Sequence, residues 1–113
     1  MHSYLPTSIT HLTFGCKFNQ RLETSILLPN GNHFKHSYLP AFITHLTFGW
    51  NFNQPLNMSL PNSITHLTFG YNFNQRFEAS LPSTLEELHL HKNYSGDTSR
   101  YNHVIRRYEY YGF

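Results

Sequence analysis

Residues 60–75 read LPNSITHLTFGYNFNQ, and residues 39–54 read LPAFITHLTFGWNFNQ. A third near-copy at 5–20 reads LPTSITHLTFGCKFNQ, and residues 81–93 carry the looser version LPSTLEELHLHKN. The Leu-Pro pairs that open the last three copies recur every 21 residues. Self-similarity at a short fixed period is the sequence signature of stacked repeats. These stretches therefore predict a solenoid, in which successive copies lie on one another.

The segment after each Leu-Pro pair alternates between apolar and polar residues. In the 60–75 copy, Ile64 and Leu67 are apolar, while His66 and Thr68 are polar. Such alternation is typical of a half-buried strand. Since one strand cannot bury its apolar face alone, we expect successive strands to pair in parallel, about 4.8 Å apart, over a shared core. Each copy is expected to supply the equivalents of these residues to that core: Ile64, Leu67, Phe69, Phe73, Phe77 and Leu81.

The segment from Ile64 to Asn72 fits the leucine-rich-repeat template, in which three apolar positions are followed by an asparagine. Residues 43–51 and 85–93 fit it too, whereas the first copy has Lys17 at the asparagine position. We expect this asparagine to turn the chain inward after the strand and to bond backbone groups with its side-chain amide. The predicted fold is mainly β, a short leucine-rich-repeat-like parallel β-solenoid of about four coils with loops or 3₁₀ turns on its convex side.

The solenoid is predicted to cover residues 3–93 within a single domain. The interval between the first two copies is longer than the others, 34 residues instead of 21. Leu28, Pro29 and Asn30 match the start of a copy, but the strand segment is missing, so we expect a loop or irregular coil there. The predicted boundaries are units at 3–25, 37–58, 59–79 and 80–93, a degenerate unit at 26–36, and a C-terminal cap or tail at 94–113.

The tail departs from the repeat. Asp97, Thr98 and Ser99 are residue types that begin helices. Apolar residues then follow with helical spacing, at Tyr101, Val104, Ile105 and Tyr108. This spacing predicts an amphipathic C-terminal helix that caps the open end of the sheet. No such cap precedes the first copy, so we expect the N-terminal edge to be open to a partner or to a second copy of the chain.

The phrase Leu-Pro-x-Ser-Ile-Thr-His-Leu-Thr-Phe-Gly-x-x-Phe-Asn-Gln, almost intact in three copies, resembles the FNIP-repeat family. This family is a leucine-rich-repeat relative with units of about 22 residues. The tetrad itself is closest at residues 52–55, which read FNQP, whereas Arg21 and Arg76 follow the other two Phe-Asn-Gln groups. The chain is similar to FNIP repeat-containing proteins of amoebae and of giant viruses that infect amoebae.

Repeat solenoids usually act as binding surfaces, so the predicted function is protein–protein interaction through the exposed strand face, with a protein partner of unknown identity. Some relatives carry an F-box ahead of the repeats and act as substrate receptors of a ubiquitin ligase. The first copy begins at Leu5, which leaves no room for an F-box, so a ubiquitin-ligase link is implied by the family alone. We expect a cytoplasmic location, in the host cytoplasm if the protein is viral.

Composition and motifs argue against several other classes. The formal charge is +2 with nine neutral histidines, too small to favour nucleic acid. A single cysteine rules out an intrachain disulfide framework, and no stretch approaches the roughly 18 apolar residues of a membrane span. A phosphate loop, a nucleophile elbow, HExxH and CxxC are all missing. We therefore predict no enzyme activity and no cofactor.

In-register pairing would align the outward side chains in ladders across the strands. The first ladder runs from His11 to Glu87, the second from Thr13 to His89, and a third ends at His91 beside Trp50 and Tyr71. Histidine, threonine and large aromatic side chains are plausible contact residues, since Trp and Tyr are enriched at interface hot spots. The predicted binding surface comprises His11, His45, His66, Thr47, Thr68, Trp50, Tyr71, Glu87, His89 and His91.

Simpler interpretations stay open. Copying of the repeat unit alone would also reproduce the histidine and threonine ladders. A zinc site is disfavoured, because His11 and His66 would lie about 10 Å apart and His89 and His91 lack third and fourth ligands. The competing hypothesis for the whole chain is a truncated, marginally folded remnant of a longer repeat protein with no independent activity.

Overall fold

Five short parallel strands form the main sheet. The computed structural model describes residues 8–37, 39–56, 60–77 and 81–109, with the backbone alone at 23–26 and 33–37. The sheet order is β1-β4-β5-β6-β7, and β2 and β3 form a separate pair. This mainly β, parallel arrangement confirms the predicted solenoid. The elements are β1 (His11–Thr13), β2 (Glu23–Leu27), β3 (His33–Ser37), β4 (His45–Thr47), β5 (His66–Thr68), β6 (Glu87–His91), a 3₁₀ turn (Ser99–Tyr101) and β7 (Ile105–Tyr108).

Successive copies pair without any shift in register. Leu12 lies beside Leu46, Leu46 beside Leu67, and Leu67 beside Leu88. Leu46, Leu67 and Leu88 are each 0 % exposed. The equivalent leucines thus form one column along the inside of the sheet, as the period of 21 residues predicts.

Two columns of phenylalanine rings lie in the core beside the leucine column. Within each coil the two rings stack with centroids 4.0 to 4.1 Å apart. Between coils, neighbouring rings stack at 5.3 to 6.1 Å. Offset stacking adds about 0.5–1.5 kcal/mol per pair beyond the burial of area. The first column contains Phe14, Phe48 and Phe69, and the second contains Phe18, Phe52 and Phe73.

Tyr94 continues the second phenylalanine column into the last repeat. Its ring lies 5.8 Å from that of Phe73. The side chain is 6 % exposed, and its hydroxyl donates to the carbonyl oxygen of Gln75 at 2.7 Å. Burial raises the pKa of Tyr94. A tyrosine is therefore accommodated at a buried aromatic position because its polar atom has a partner.

Glycine is required where the backbones of two coils approach most closely. A Cβ atom added at Gly70 would lie 2.1 Å from the carbonyl oxygen of Gly49. One added at Gly49 would lie 2.5 Å from the carbonyl oxygen of Gly15. Neither distance is compatible with a side chain, so these glycines set the tight packing of coil on coil.

The asparagine that bonds the backbone is not the one that the template indicated. Asn51 and Asn72 are exposed, and the Asn72 amide donates to Asn51 Oδ1 at 3.2 Å. Instead, Asn53 of the Phe-Asn-Gln group accepts from the backbone N–H of Asn74 at 2.9 Å and from Gln75 Nε2 at 3.0 Å. The prediction was wrong because the chain turns inward at the following phenylalanine, which leaves the template asparagine facing solvent.

The segment between the first two copies forms regular secondary structure, and not the loop or irregular coil that was expected. Residues 23–37 form an antiparallel hairpin in which Leu27 pairs with His33 and Glu23 with Ser37. Gly31 has φ of 88°, and the N–H of Asn32 donates to Asn30 Oδ1 at 3.0 Å. Asparagine and glycine favour a turn of this kind, so the sequence Pro-Asn-Gly-Asn closes a hairpin.

The predicted C-terminal capping helix is wrong. The tail forms the 3₁₀ turn and then β7, which pairs in parallel with β6 and places Ile105 beside Leu88. Tyr101 and Val104 are buried in the core, as the apolar spacing implied. Parallel pairing satisfies the edge of β6 with backbone hydrogen bonds, which a helix could not do.

We expect Gly70→Ala to destabilise the fold by about 1–3 kcal/mol or more, because the added methyl group overlaps the carbonyl of the neighbouring coil. Gly15→Ala is the matched control, since none of the residues that the structure describes comes within 4 Å of its Cβ position. Its effect should stay within about 0.5 kcal/mol. Urea unfolding in dilute solution measures both. Equal free energies of unfolding for the two variants would contradict the packing described above.

Asn53→Ala should lower the free energy of unfolding by about 1 kcal/mol, because two hydrogen bonds to the next coil lose their acceptor. Asn51→Ala, two residues away on the exposed side, should change it by less than about 0.5 kcal/mol. Thermal and urea unfolding of the pair checks the assignment. A larger loss of unfolding free energy for Asn51→Ala than for Asn53→Ala would contradict this assignment. It would support the role that the leucine-rich-repeat template gives to Asn51.

Candidate interaction surface

Three histidine rings stack on the outer side of the sheet. The centroids of His11 and His45 are 4.0 Å apart with an interplanar angle of 12°, and those of His45 and His66 are 4.2 Å apart at 7°. The rings come together because their residues are paired in register. The structure thus places the first predicted ladder as a continuous column, which ends at Glu87 on β6.

Threonine hydroxyls orient these rings. Thr44 Oγ1 donates to the carbonyl oxygen of Thr10 at 3.1 Å and lies 2.9 Å from His45 Nδ1. Because its one hydrogen is already donated, this hydroxyl accepts from Nδ1–H. Neutral His45 therefore keeps Nε2 as a hydrogen-bond acceptor. Thr65 orients His66 in the same way, at 2.8 Å.

Glu87 joins the first ladder to the second. Its Oε1 accepts from His89 Nε2 at 2.8 Å, and its Oε2 lies 3.8 Å from His66 Nε2. The hydrogen bond from His89, followed by the nearby His66, holds the pKa of Glu87 below its ordinary value of 4.5. The carboxylate is thus a fixed negative charge at one end of the histidine column.

The central ring of the column, His45, lies in a site that disfavours a proton. Burial, followed by repulsion from His11 and His66, lowers the pKa of His45 below its ordinary value of 6.5, while Glu86 and Glu87 act weakly in the opposite direction. Adjacent stacked rings cannot all be charged without strong repulsion. At neutral pH His45 therefore presents a neutral imidazole rather than a cation.

The second ladder is formed as predicted. Thr13 lies beside Thr47, Thr47 beside Thr68, and Thr68 beside His89. The side chains at its acidic end remain accessible, with His89 33 % exposed and Glu87 40 % exposed. The two ladders together form a regular polar face over β1, β4, β5 and β6.

The third ladder differs from the prediction at its last position. Trp50 and Tyr71 lie side by side with centroids 4.8 Å apart, both half-buried. His91, expected on the surface, is 2 % exposed. The rings of Tyr71 and Tyr108 meet it edge to face, at 4.6 and 5.4 Å. The prediction for His91 was wrong because β7 adds a strand whose Tyr108 covers this position.

Sequence reasoning also missed one exposed aromatic residue. Phe42 is 69 % exposed and occupies the position of Ser63 and Thr84 in later copies. Those hydroxyls donate to carbonyls of the preceding coil, Ser63 to Ile43 at 2.5 Å and Thr84 to Ile64 at 2.8 Å. A comparison of the copies at this position could have identified Phe42 as the one that lacks the hydroxyl.

Across the described parts of the chain, no group of three or more His, Cys, Asp or Glu side chains is placed to hold a metal ion. The stacked geometry explains this for the histidine column, because parallel rings direct their nitrogen lone pairs alongside one another instead of at a common point. None of the helices that the structure describes is long and apolar enough to cross a membrane.

Comparison with protein families identifies the repeat. The family model FNIP Repeat matches residues 30–63 and 57–93, which together span more than half of the chain. The chain belongs to the FNIP-repeat family. Searches of curated proteins and of solved structures gave no match. The first copy lies outside the two matched ranges, yet β1 stacks on β4 in the same register as the other repeats.

We expect the FNIP solenoid to lose stability as the pH falls below about 6.5, because the unfolded chain then protonates a histidine whose folded-state pKa is lowered. The contribution of Glu87 belongs to a separate window, at and below its ordinary pKa of 4.5. His45→Phe keeps a ring in the stack and removes the titrating group. The fall in Tm between about pH 7.5 and pH 5.5 should be smaller for the variant than for the wild type. An equal fall would exclude His45 as its source.

Proposed function

We propose that this chain is a protein-interaction module that binds its partner with the outer face of the five-stranded sheet. The observation that carries the proposal is the pair of in-register ladders beginning at His11 and Thr13. They align imidazole, hydroxyl and carboxylate groups at strand spacing over four strands. A regular array of this kind can contact several residues of a protein ligand at once.

The rigidity of the face supports binding at low entropic cost. Strands β4, β5 and β6 each pair with a neighbour on both sides, and the histidine rings are fixed by stacking and by threonine hydroxyls. Side chains that are already ordered lose little freedom on association. Trp50 and Tyr71, at the edge of this face, add the residue types that most often contribute strongly to binding energy.

Membership in the FNIP-repeat family supports a repeat module and gives no reason to propose catalysis. The solenoid architecture agrees with this, since solenoids commonly bind partners through an extended sheet surface. A link to a ubiquitin ligase stays an expectation from the family. The protein ligand proposed here is defined by its fit to a polar face with one fixed carboxylate at Glu87.

The immobilised Thr68→Lys variant should no longer bind the specific partners of the wild type. The substitution inserts a long charged side chain into the middle of the proposed face. Asn62→Lys adds the same charge on an exposed turn of the same repeat and is the matched control. Quantitative mass spectrometry of retained proteins should show a loss of about tenfold or more for Thr68→Lys alone. Trp50→Ala and Tyr71→Ala test the aromatic edge in the same assay.

Retention of the same proteins by the wild type and by Thr68→Lys would contradict the proposed face. Circular dichroism melts of each variant separate lost contacts from lost structure. A cooperative melt of the wild type is expected for a working domain, whereas a featureless decline would favour the marginally folded remnant.

A further inference from the structure

The two ends of the solenoid differ in how well their core residues are covered. In the second coil Ile43, Leu46 and Phe48 are each 0 % exposed. In the first coil the equivalent positions Leu12 and Phe14 remain partly exposed. Phe14 stacks on Phe48 at 5.5 Å on its inner side. The N-terminal face, defined by Leu12, Phe14, Gly15 and Phe18, therefore presents one side of the hydrophobic core.

A glycine on this face provides a second, independent observation. At Gly49 and Gly70 the backbone of the preceding coil occupies the place of a Cβ atom. At Gly15 no atom of the described residues lies within 4 Å of that place, and its φ is not in the positive region. This glycine is thus not needed for the fold of its own coil. It leaves room for another backbone to approach as closely as coils do inside the stack.

At the C-terminal end, the residues that the structure describes, up to Glu109, do not form a complementary surface. Arg107 lies beside Leu90, at the position that phenylalanine occupies in earlier coils. Its guanidinium donates to the carbonyl oxygens of His91 at 3.1 Å and Tyr94 at 3.0 Å. A head-to-tail stack would place this cation against Phe14 and would bring the basic C-terminal end towards Lys17. The N-terminal face is better matched by an apolar surface like itself.

We propose that a second copy of this chain covers the N-terminal face in a head-to-head, two-fold dimer. In this arrangement the two β1 strands pair antiparallel about Leu12, and His11 of one copy faces Thr13 of the other. Because the paired strands run in opposite directions, the two Lys17 side chains lie at opposite ends of the interface. Residues 8–20 contain a single residue of the types Lys, Arg, Asp and Glu, which is Lys17.

The dimer would join two five-stranded sheets into one, with both polar faces on the same side. A two-fold axis perpendicular to the sheet keeps residues of equal orientation opposite each other, because paired positions in an antiparallel ladder point to the same face. Such an interface is isologous and closes at two copies, so it does not extend into a filament. This inference stands independently of the protein partner proposed above.

The test is sedimentation equilibrium of the full chain from about 1 to about 200 µM. The wild type should show a reversible monomer–dimer equilibrium. Gly15→Val should raise the dimer Kd at least about tenfold, because its side chain blocks the approaching backbone. The same change leaves the monomer intact, as the Cβ position is open. His103→Glu, an exposed change at the C-terminal end, should associate like the wild type.

A wild type that stays monomeric over this range overturns the proposal, as does a Gly15→Val variant that dimerises normally. A monomeric His103→Glu variant would overturn it as well, because the contact would then lie at the other end. If the wild type is monomeric and fusion of an extra copy of residues 39–59 upstream raises Tm, the face belongs to a further coil and not to a second molecule. Circular dichroism of each variant verifies that it is folded.

Discussion

Parallel pairing in register is the constraint on which the rest of this structure depends. Once Leu46 lies beside Leu67, every equivalent residue of the two coils is brought to about strand spacing. This one alignment stacks the histidine rings outside the sheet and the phenylalanine rings inside it. It also forces the backbones into contact at Gly49 and Gly70. A shift of one residue would exchange the two faces and lose all of these contacts at once.

Much of this architecture could be predicted from the sequence because near-identical copies determine their own alignment. The leucine column and the outer ladders follow from the repeat period alone. The role of Asn53 did not follow, because the template names a different asparagine and the direction of the turn decides which of the two faces the next coil. Repeat comparison locates positions reliably, but it does not show where a side chain points after the strand has ended.

The structure of the non-repeating segments was harder to predict from the sequence, for a related reason. The residues from Tyr101 to Tyr108 have apolar spacing that fits a helix, and no neighbouring copy exists to contradict it. The free edge of β6 decided the outcome, since a further strand satisfies its backbone groups. That added strand then buried His91, whose position in the ladder had indicated exposure. Local pattern was thus overridden by the needs of the sheet edge.

The identity of the three His-Leu-Thr strands carries a consequence for folding. Strand β1 would find in β5 the same three residues that it finds in β4, so pairing energy alone hardly distinguishes the correct neighbour from the wrong one. Discrimination must come from the coil that a wrong pairing would loop out, because Ile43, Phe48 and Phe52 would then lie in water. The chain reaches one topology because skipping a repeat would expose the hydrophobic core residues of that repeat. The pairing preferences of the strands themselves do not determine it.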